Sequence, residues 1–90
     1  MRVKFFAYLR DYAGCSETNM PAAATIGELA RVLSDRYGPR LGDKLLTADG
    51  DLGTDLIVMV NGRHINHLGG INAALKDDDT VQIFPMVAGG

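Results

Sequence analysis

The sequence has few of the residues that build disulfide or zinc frameworks. It contains one cysteine, Cys15, and no tryptophan. A single cysteine excludes a disulfide within one chain and a zinc site built on cysteines, and the lack of disulfides is compatible with a reducing compartment. Long hydrophobic runs are missing too. Leu56–Val60, as long as any uninterrupted apolar run in the chain, is far too short to cross a bilayer as a helix.

The chain also lacks a large excess of positive or negative charge. Nine Lys and Arg residues and eleven Asp and Glu residues give a formal net charge of −2, and the basic residues are scattered. Nucleic-acid-binding proteins usually carry a basic stripe, so we expect no nucleic-acid partner. The first residues, Met1–Lys4, lead directly into a strand pattern without the apolar segment of a signal peptide. We therefore expect a cytoplasmic protein with no membrane partner.

Length and composition predict one folded domain, because the chain has 90 residues and 47% of them are hydrophobic. Strict alternation predicts a first strand within Arg2–Leu9. This strand would place Phe6 and Tyr8 on the face opposite Phe5. A short second strand, antiparallel to the first, is predicted at Glu17–Met20.

The clearest helix signal begins at Thr25. Thr25 and Glu28 form the capping box, in which each side chain accepts a hydrogen bond from a backbone N–H of the first turn. Apolar residues then recur at helical spacing and predict the buried face: Ile26, Leu29, Ala30 and Leu33. We expect the helix to end at Gly38, in a left-handed conformation, and at Pro39, which cannot continue it.

The second half of the chain predicts three strands after a connector. Arg40–Thr54 is rich in Gly and Asp, with one helical turn predicted at Asp43–Leu46. Asn61-Gly62 is the strongest two-residue hairpin signal. The predicted strands are Leu56–Val60, Arg63–Ile65 and Thr80–Phe84. The order β-β-α-β-β-β predicts an α+β roll, in which a mixed sheet packs on one main helix.

The chain ends in a tail with a free carboxylate, so we divide it into a folded domain, 1–84, and a flexible Gly-Gly tail, 85–90. Pro85 has no N–H to extend the sheet. Gly89 and Gly90 have no Cβ, so their backbone can pass through a narrow channel and approach a nucleotide closely. A carboxylate becomes an acyl donor only when another enzyme converts it to a mixed anhydride. Gly90 is therefore the predicted site of covalent chemistry.

Four segments spread over the whole chain carry a further pattern. They are Phe5-Phe6-Ala7-x-Leu9-Arg10-x-x-Ala13-Gly14, Val60-Asn61-Gly62, Leu75–Pro85 and Val87-Ala88-Gly89-Gly90. In this order and spacing they resemble the MoaD/ThiS family of ubiquitin-like sulfur carriers, and most of all its molybdopterin-synthase small-subunit branch. The resemblance implies a β-grasp (ubiquitin-like) fold and a carrier that is not itself an enzyme and binds no cofactor or metal.

The resemblance also implies a reaction and two partners. An E1-like adenylating enzyme (MoeB/ThiF type) would use ATP to adenylate Gly90, and a sulfur donor would convert it to a thiocarboxylate. The tail would then insert into the large subunit of molybdopterin synthase (MoaE type) and give sulfur to the pterin precursor of the molybdenum or tungsten cofactor. The inserted residues would be Pro85, Met86, Val87, Ala88 and Gly89. Family members commonly have a second proline where this chain has Met86, so we expect a slightly looser tail.

Other functions stay open at this stage. The sulfur could go to a thiazole, an amino acid or tRNA, or Gly90 could be linked to lysines of target proteins as in ubiquitin-like conjugation. An interaction module with an idle tail is a third class. A carrier must dock on its partners, and we expect an apolar docking face formed by Phe6, Tyr8 and Phe84. His64 and His67 lack a third ligand nearby, so we predict no zinc site.

Overall fold

The computed structural model describes residues 1–21 and 23–86. Within them, five strands and three α-helices occur in the order β1 (Arg2–Phe5), α1 (Leu9–Ala13), β2 (Glu17–Asn19), α2 (Ile26–Tyr37), α3 (Pro39–Leu45), β3 (Leu56–Val60), β4 (Arg63–His64) and β5 (Thr80–Pro85). Two 3₁₀ turns, Ile65–His67 and Gly70–Asn72, lie between β4 and β5.

The strands form one mixed sheet in the order β2-β1-β5-β3-β4. Strands β1 and β5 are parallel, with Phe5 opposite Ile83, and the other neighbours are antiparallel. A parallel pair needs a long crossover connection, and the chain between β1 and β5 supplies the helices that cover one face of the sheet. The predicted α+β roll, a mixed sheet packed on a main helix, is confirmed.

The hydrophobic core lies between the inner face of the sheet and the helices. Val3 of β1 and Val81 of the central strand β5 are fully buried, as are Leu33 of α2 and Leu41 of α3. In β1, β3 and β5, buried inward residues alternate with half-buried or exposed residues on the outer face, as the period of a strand requires. The outer face is therefore the side of the sheet available to a partner.

The first strand is shorter than predicted, and this part of the prediction is wrong. It ends at Phe5, because Ala7 takes a positive φ of 53° and turns the chain into α1 (Leu9–Ala13). Leu9 and Ala13 are spaced by four residues, so both lie on the buried side of this helix. Tyr8 precedes the helix and is not on the outer face of a strand.

Pro39 begins a helix instead of only ending one. The expected left-handed Gly38 has φ 89° and ψ −179°, which lies outside the left-handed helical region, and Pro39 occupies the first turn of α3. Proline suits that position because its missing N–H would have no intrahelical partner there. Leu41 and Leu45 are buried one turn apart, and this burial stabilises a helix where the sequence predicted a connector with a single turn.

The cap of α2 and the β3–β4 hairpin are confirmed. The Thr25 hydroxyl accepts a hydrogen bond from the Glu28 N–H at 3.2 Å, and the Glu28 carboxylate accepts one from the Ala24 N–H at 3.2 Å, one residue earlier than in the standard box. Asn61 and Gly62 both have positive φ, 52° and 83°, as a two-residue hairpin requires.

The last strand extends one residue beyond the predicted boundary at 84/85. Pro85 is buried and lies opposite Leu56 in the β3–β5 ladder. It tolerates this place because β1 ends at Phe5, opposite Ile83, so no residue of β1 lies beside Pro85 to accept from a backbone N–H. The folded part of the chain therefore includes Pro85. No helix in the described ranges is long and apolar enough to cross a membrane.

Candidate functional site

Gly90, the predicted site of covalent chemistry, lies outside the residues that the structure describes, and so do Val87, Ala88 and Gly89. The structure does describe Pro85 and Met86, which form the base of the tail. The Met86 N–H donates a hydrogen bond to the Asp55 carbonyl at 2.7 Å, and its side chain is half exposed. A proline at this position could not donate that bond. Met86 thus ties the tail base to the residue before β3.

An apolar patch lies on the outer face of the sheet next to the tail base. Phe6 and Phe84 stack face to face, with ring centroids 4.2 Å apart and an interplanar angle of 14°. The parallel register that pairs Phe5 with Ile83 places them side by side. Ile57 lies opposite Phe84, and Met59 follows on the same face of β3. We call Phe6, Ile57, Met59 and Phe84 the sheet patch; all four are half-buried.

Of the three residues predicted to form the docking face, the structure brings Phe6 and Phe84 together and places Tyr8 elsewhere. Tyr8 belongs to a separate group on the helices, with its ring 5.3 Å from that of Tyr12. The Lys44 ammonium lies 5.8 Å from the Tyr8 ring centroid, and the Arg40 guanidinium lies 4.2 Å from that of Tyr12. The spacing of four residues in each pair, 8 and 12 and then 40 and 44, was the sequence signal that could have found this group.

This second group borders a polar cleft beside the tail base. The cleft has a volume of about 440 Å³, opens to solvent, and is lined by Tyr12, Arg40, Asp43, Lys44, Thr54 and Asp55 among others. Asp55 also accepts the hydrogen bond from Met86, so the cleft and the tail base share a residue. We call this feature the α3 cleft. The α3 cleft could not be predicted from the sequence, because its residues come from α1, α3 and the segment before β3.

The other candidate residues do not assemble into a reactive centre. His64 accepts a hydrogen bond at Nδ1 from the Asn66 N–H at 3.1 Å, and its ring lies 6.5 Å from that of His67. The Cys15 sulfur lies 3.6 Å from the Tyr37 hydroxyl. Among residues 1–21 and 23–86, no three His, Cys, Asp or Glu side chains are close enough to hold a metal ion.

The chain is similar to known proteins in sequence and in fold. The chain matches the ThiS family over residues 3–90. It is 36% identical over 92 residues to small archaeal modifier protein 3 of Haloferax volcanii, covering 100% of this chain and 98% of the relative.

Two solved structures extend the likeness to three dimensions. Small archaeal modifier protein 1 of Methanosarcina acetivorans superimposes with a TM-score of 0.86 at 32% identity, covering 99% of this chain and 94% of that one. A chain of the BexX/CysO complex of Amycolatopsis orientalis gives a TM-score of 0.81 at 29% identity, covering 99% and 98%. The sheet packed on its helices is a β-grasp fold, and this chain belongs to the ThiS family of ubiquitin-like sulfur carriers and modifiers.

Proposed function

We propose that this protein is a sulfur carrier that works through the carboxylate of Gly90. The observation that carries the proposal is the family match, which runs through the terminal Gly89-Gly90 pair to the last residue. An E1-like enzyme of the MoeB/ThiF type would join the carboxylate oxygen to the α-phosphate of ATP and release pyrophosphate. A sulfide equivalent would then attack the carbonyl carbon and expel AMP, which leaves a thiocarboxylate. The thiolate form of sulfur is the reactive nucleophile.

The sheet patch supports this proposal because tail insertion needs a docking surface. Fixing the backbone of the four residues 87–90 in a partner's channel costs about 4–8 kcal/mol, at about 1–2 kcal/mol per residue. At about 25 cal/mol per Å² of apolar surface, offsetting that cost takes about 160–320 Å² of apolar burial, counted over both proteins. Phe6, Ile57, Met59 and Phe84 supply such a surface next to the strand from which the tail leaves.

For the destination of the sulfur, we propose the large subunit of molybdopterin synthase (MoaE type) and the pterin precursor of the molybdenum or tungsten cofactor. The support is the similarity of Leu75–Pro85 and the Gly-Gly ending to that branch. The protein itself acts as a co-substrate, because it supplies the sulfur and no acid–base groups.

A second candidate function is conjugation of Gly90 to lysine side chains of other proteins. The observation that favours it is the likeness to proteins named small archaeal modifiers, at 36% and 32% identity. Both functions begin with the same adenylate. They differ in the product, which is a thiocarboxylate on the carrier in one case and an isopeptide bond to a target in the other.

The test is an intact-mass spectrum of the full chain purified from its native host. We expect a mass in which one oxygen is replaced by sulfur, with fragmentation placing the change at Gly90. The matched control is Gly90→Val, whose side chain should block adenylation while leaving the melting temperature unchanged. Gly-Gly remnants on lysines of other proteins, without the sulfur-bearing mass, would favour the modifier function. An unmodified chain with neither product would contradict both.

A host strain that lacks this protein identifies the acceptor. We expect this strain to lose the activity of molybdenum or tungsten enzymes and to accumulate the pterin precursor. Expression of the wild-type chain should restore the activity and end the accumulation. Normal cofactor levels together with loss of a thiazole, a sulfur amino acid or a thiolated tRNA base would reassign the pathway and keep the carrier function.

A further inference from the structure

We propose that the α3 cleft is a second docking site, for a segment of the E1-like adenylating enzyme that presents a carboxylate toward Arg40 and Lys44. The inference rests on the proposed function, since it assigns a contact to the protein that takes up the tail. Arg40 and Lys44 are spaced by four residues on α3, which places both side chains on one face of the helix. Both line the cleft.

The two cations are held in place by aromatic rings instead of by carboxylates. The Arg40 guanidinium is 4.2 Å from the centroid of the Tyr12 ring, and Tyr12 packs against Tyr8, whose other neighbour is the Lys44 ammonium. Within residues 1–21 and 23–86, neither Arg40 nor Lys44 forms an ion pair. A guanidinium stacked on a ring keeps its N–H donors at its edge, where they fit the two oxygens of a carboxylate.

The charges of the cleft select the class of ligand. Asp43 and Asp55 line the same cleft as Arg40 and Lys44, so the two positive charges are balanced by two negative ones. A nucleic acid or a polyphosphate would meet both carboxylates and be repelled by them. A protein segment with a carboxylate toward Arg40 and Lys44 and a cation toward Asp55 would find an opposite charge at each place. Complementary charges of this kind govern association rate and orientation.

The position of the cleft selects the partner. Asp55 lines the cleft and also holds the tail base through its hydrogen bond with Met86. Ile57, two residues further on, belongs to the sheet patch on the outer face. The tail base therefore lies between the two surfaces, and a protein that receives the tail is the one placed to contact both. The sheet patch supplies apolar area, and the α3 cleft fixes the orientation of the docked carrier.

The experiment is ATP–pyrophosphate exchange catalysed by the E1-like enzyme of the same host, measured at increasing carrier concentration. The double variant Arg40→Gln/Lys44→Gln removes both cations at nearly constant size. We expect its KM to rise about three- to tenfold with kcat unchanged, as for the loss of two surface ion pairs. We also expect its KM to depend less on salt concentration than that of the wild type, because screened charges no longer contribute.

The matched control is Arg31→Gln/Lys76→Gln, which makes the same change in net charge at two exposed residues outside the cleft. Its KM should stay close to the wild-type value, and melting curves of both double variants establish that each is folded under assay conditions. Equal KM values for the two double variants, whether raised or unchanged, would overturn the α3 cleft proposal. A folded wild-type chain that supports no exchange would instead contradict the carrier function, and the cleft proposal would fall with it.

Discussion

Asn61 and Asp79 join the tip of the β3–β4 hairpin to the loop before β5. The Asn61 amide donates to the Asp79 carboxylate at 2.8 Å, and the second carboxylate oxygen accepts from the Lys76 N–H at 2.8 Å. The side-chain oxygen Oδ1 of Asn61 also accepts from the Thr80 N–H at 2.9 Å. Asp79 is the one buried charged side chain among the described residues, and the two bonds explain how it tolerates burial.

Replacing Asp79 by Ala should destabilise the fold by about 2–3 kcal/mol, because the variant leaves the Asn61 amide and the Lys76 N–H without their acceptor. The measurement is urea unfolding followed by circular dichroism. The neighbouring change Asp78→Ala is the matched control, since Asp78 is exposed and should cost no more than about 0.5 kcal/mol. Similar midpoints for the two variants would show that the Asp79 network does not stabilise the hairpin.

Replacing Phe84 by Ala should weaken partner binding more than it weakens the fold. The variant loses a half-buried ring and its stacking on Phe6. Loss of the stacking lowers the free energy of unfolding by about 1 kcal/mol, in addition to the contribution of the apolar area that the ring buries. We expect KM for the activating enzyme to rise by about tenfold or more, as for the loss of an aromatic residue from the centre of an interface.

The control for Phe84→Ala is Ile83→Val on the opposite face of the same strand. Ile83 is 3% exposed, so this change should cost about 0.5–1.5 kcal/mol of stability and leave KM unchanged. The two variants should therefore differ in exchange kinetics, and melting curves establish that each is folded under assay conditions. Equal KM values would mark Phe84 as a residue of the fold alone.

Replacing Gly53 by Ala should be among the most damaging glycine substitutions. A Cβ at Gly53 would lie 2.0 Å from the carbonyl oxygen of Lys44, at the end of α3, and a backbone oxygen cannot move aside as a side chain can. We expect a loss of about 3 kcal/mol or more. Gly50→Ala is the comparison: it meets no atom within 4 Å but has φ +84°, which should cost about 1–2 kcal/mol. Thermal unfolding of both variants checks the order, and a more stable Gly53→Ala would contradict the close approach.

Replacing Met86 by Pro should loosen the tail base. The variant cannot donate the hydrogen bond to the Asp55 carbonyl, and we expect a loss of about 0.5–1.5 kcal/mol. Met86→Ala keeps the N–H and removes the side chain, so it separates the two contributions. Urea unfolding measures both. If the alanine variant loses as much stability as the proline variant, the side chain of Met86 and not its N–H stabilises the end of β5.

Local features were predictable from the sequence because their causes are local. The cap of α2 depends on Thr25 and Glu28, which are three residues apart, and the hairpin depends on the positive φ that Asn61 and Gly62 tolerate. The alternation of Thr80–Phe84 likewise predicted which residues of β5 face the core. In each case the residues that decide the structure are neighbours in the chain.

The predictions for the end of β1 and for the segment after Gly38 were wrong because the local sequence there fits two structures. Alternation up to Leu9 is compatible with a long strand, but Leu9 and Ala13 also fit one face of a helix, and burial of that face ended β1 at Phe5. Pro39 can stop a helix or start one. Here Pro39 starts α3, because Leu41 and Leu45 of that helix are buried in the core.

By itself, the sequence determined the family, the β-grasp class, the longest helix and the residues at which the hairpin turns. It did so through short-range periodicity, caps and turn chemistry. Only the tertiary structure decided which side chains meet across the fold. The parallel pairing of β1 with β5 stacks Phe6 on Phe84, and the packing of α1 near α3 sets Tyr12 under Arg40. Such contacts depend on strand register and helix placement, which the whole core fixes together.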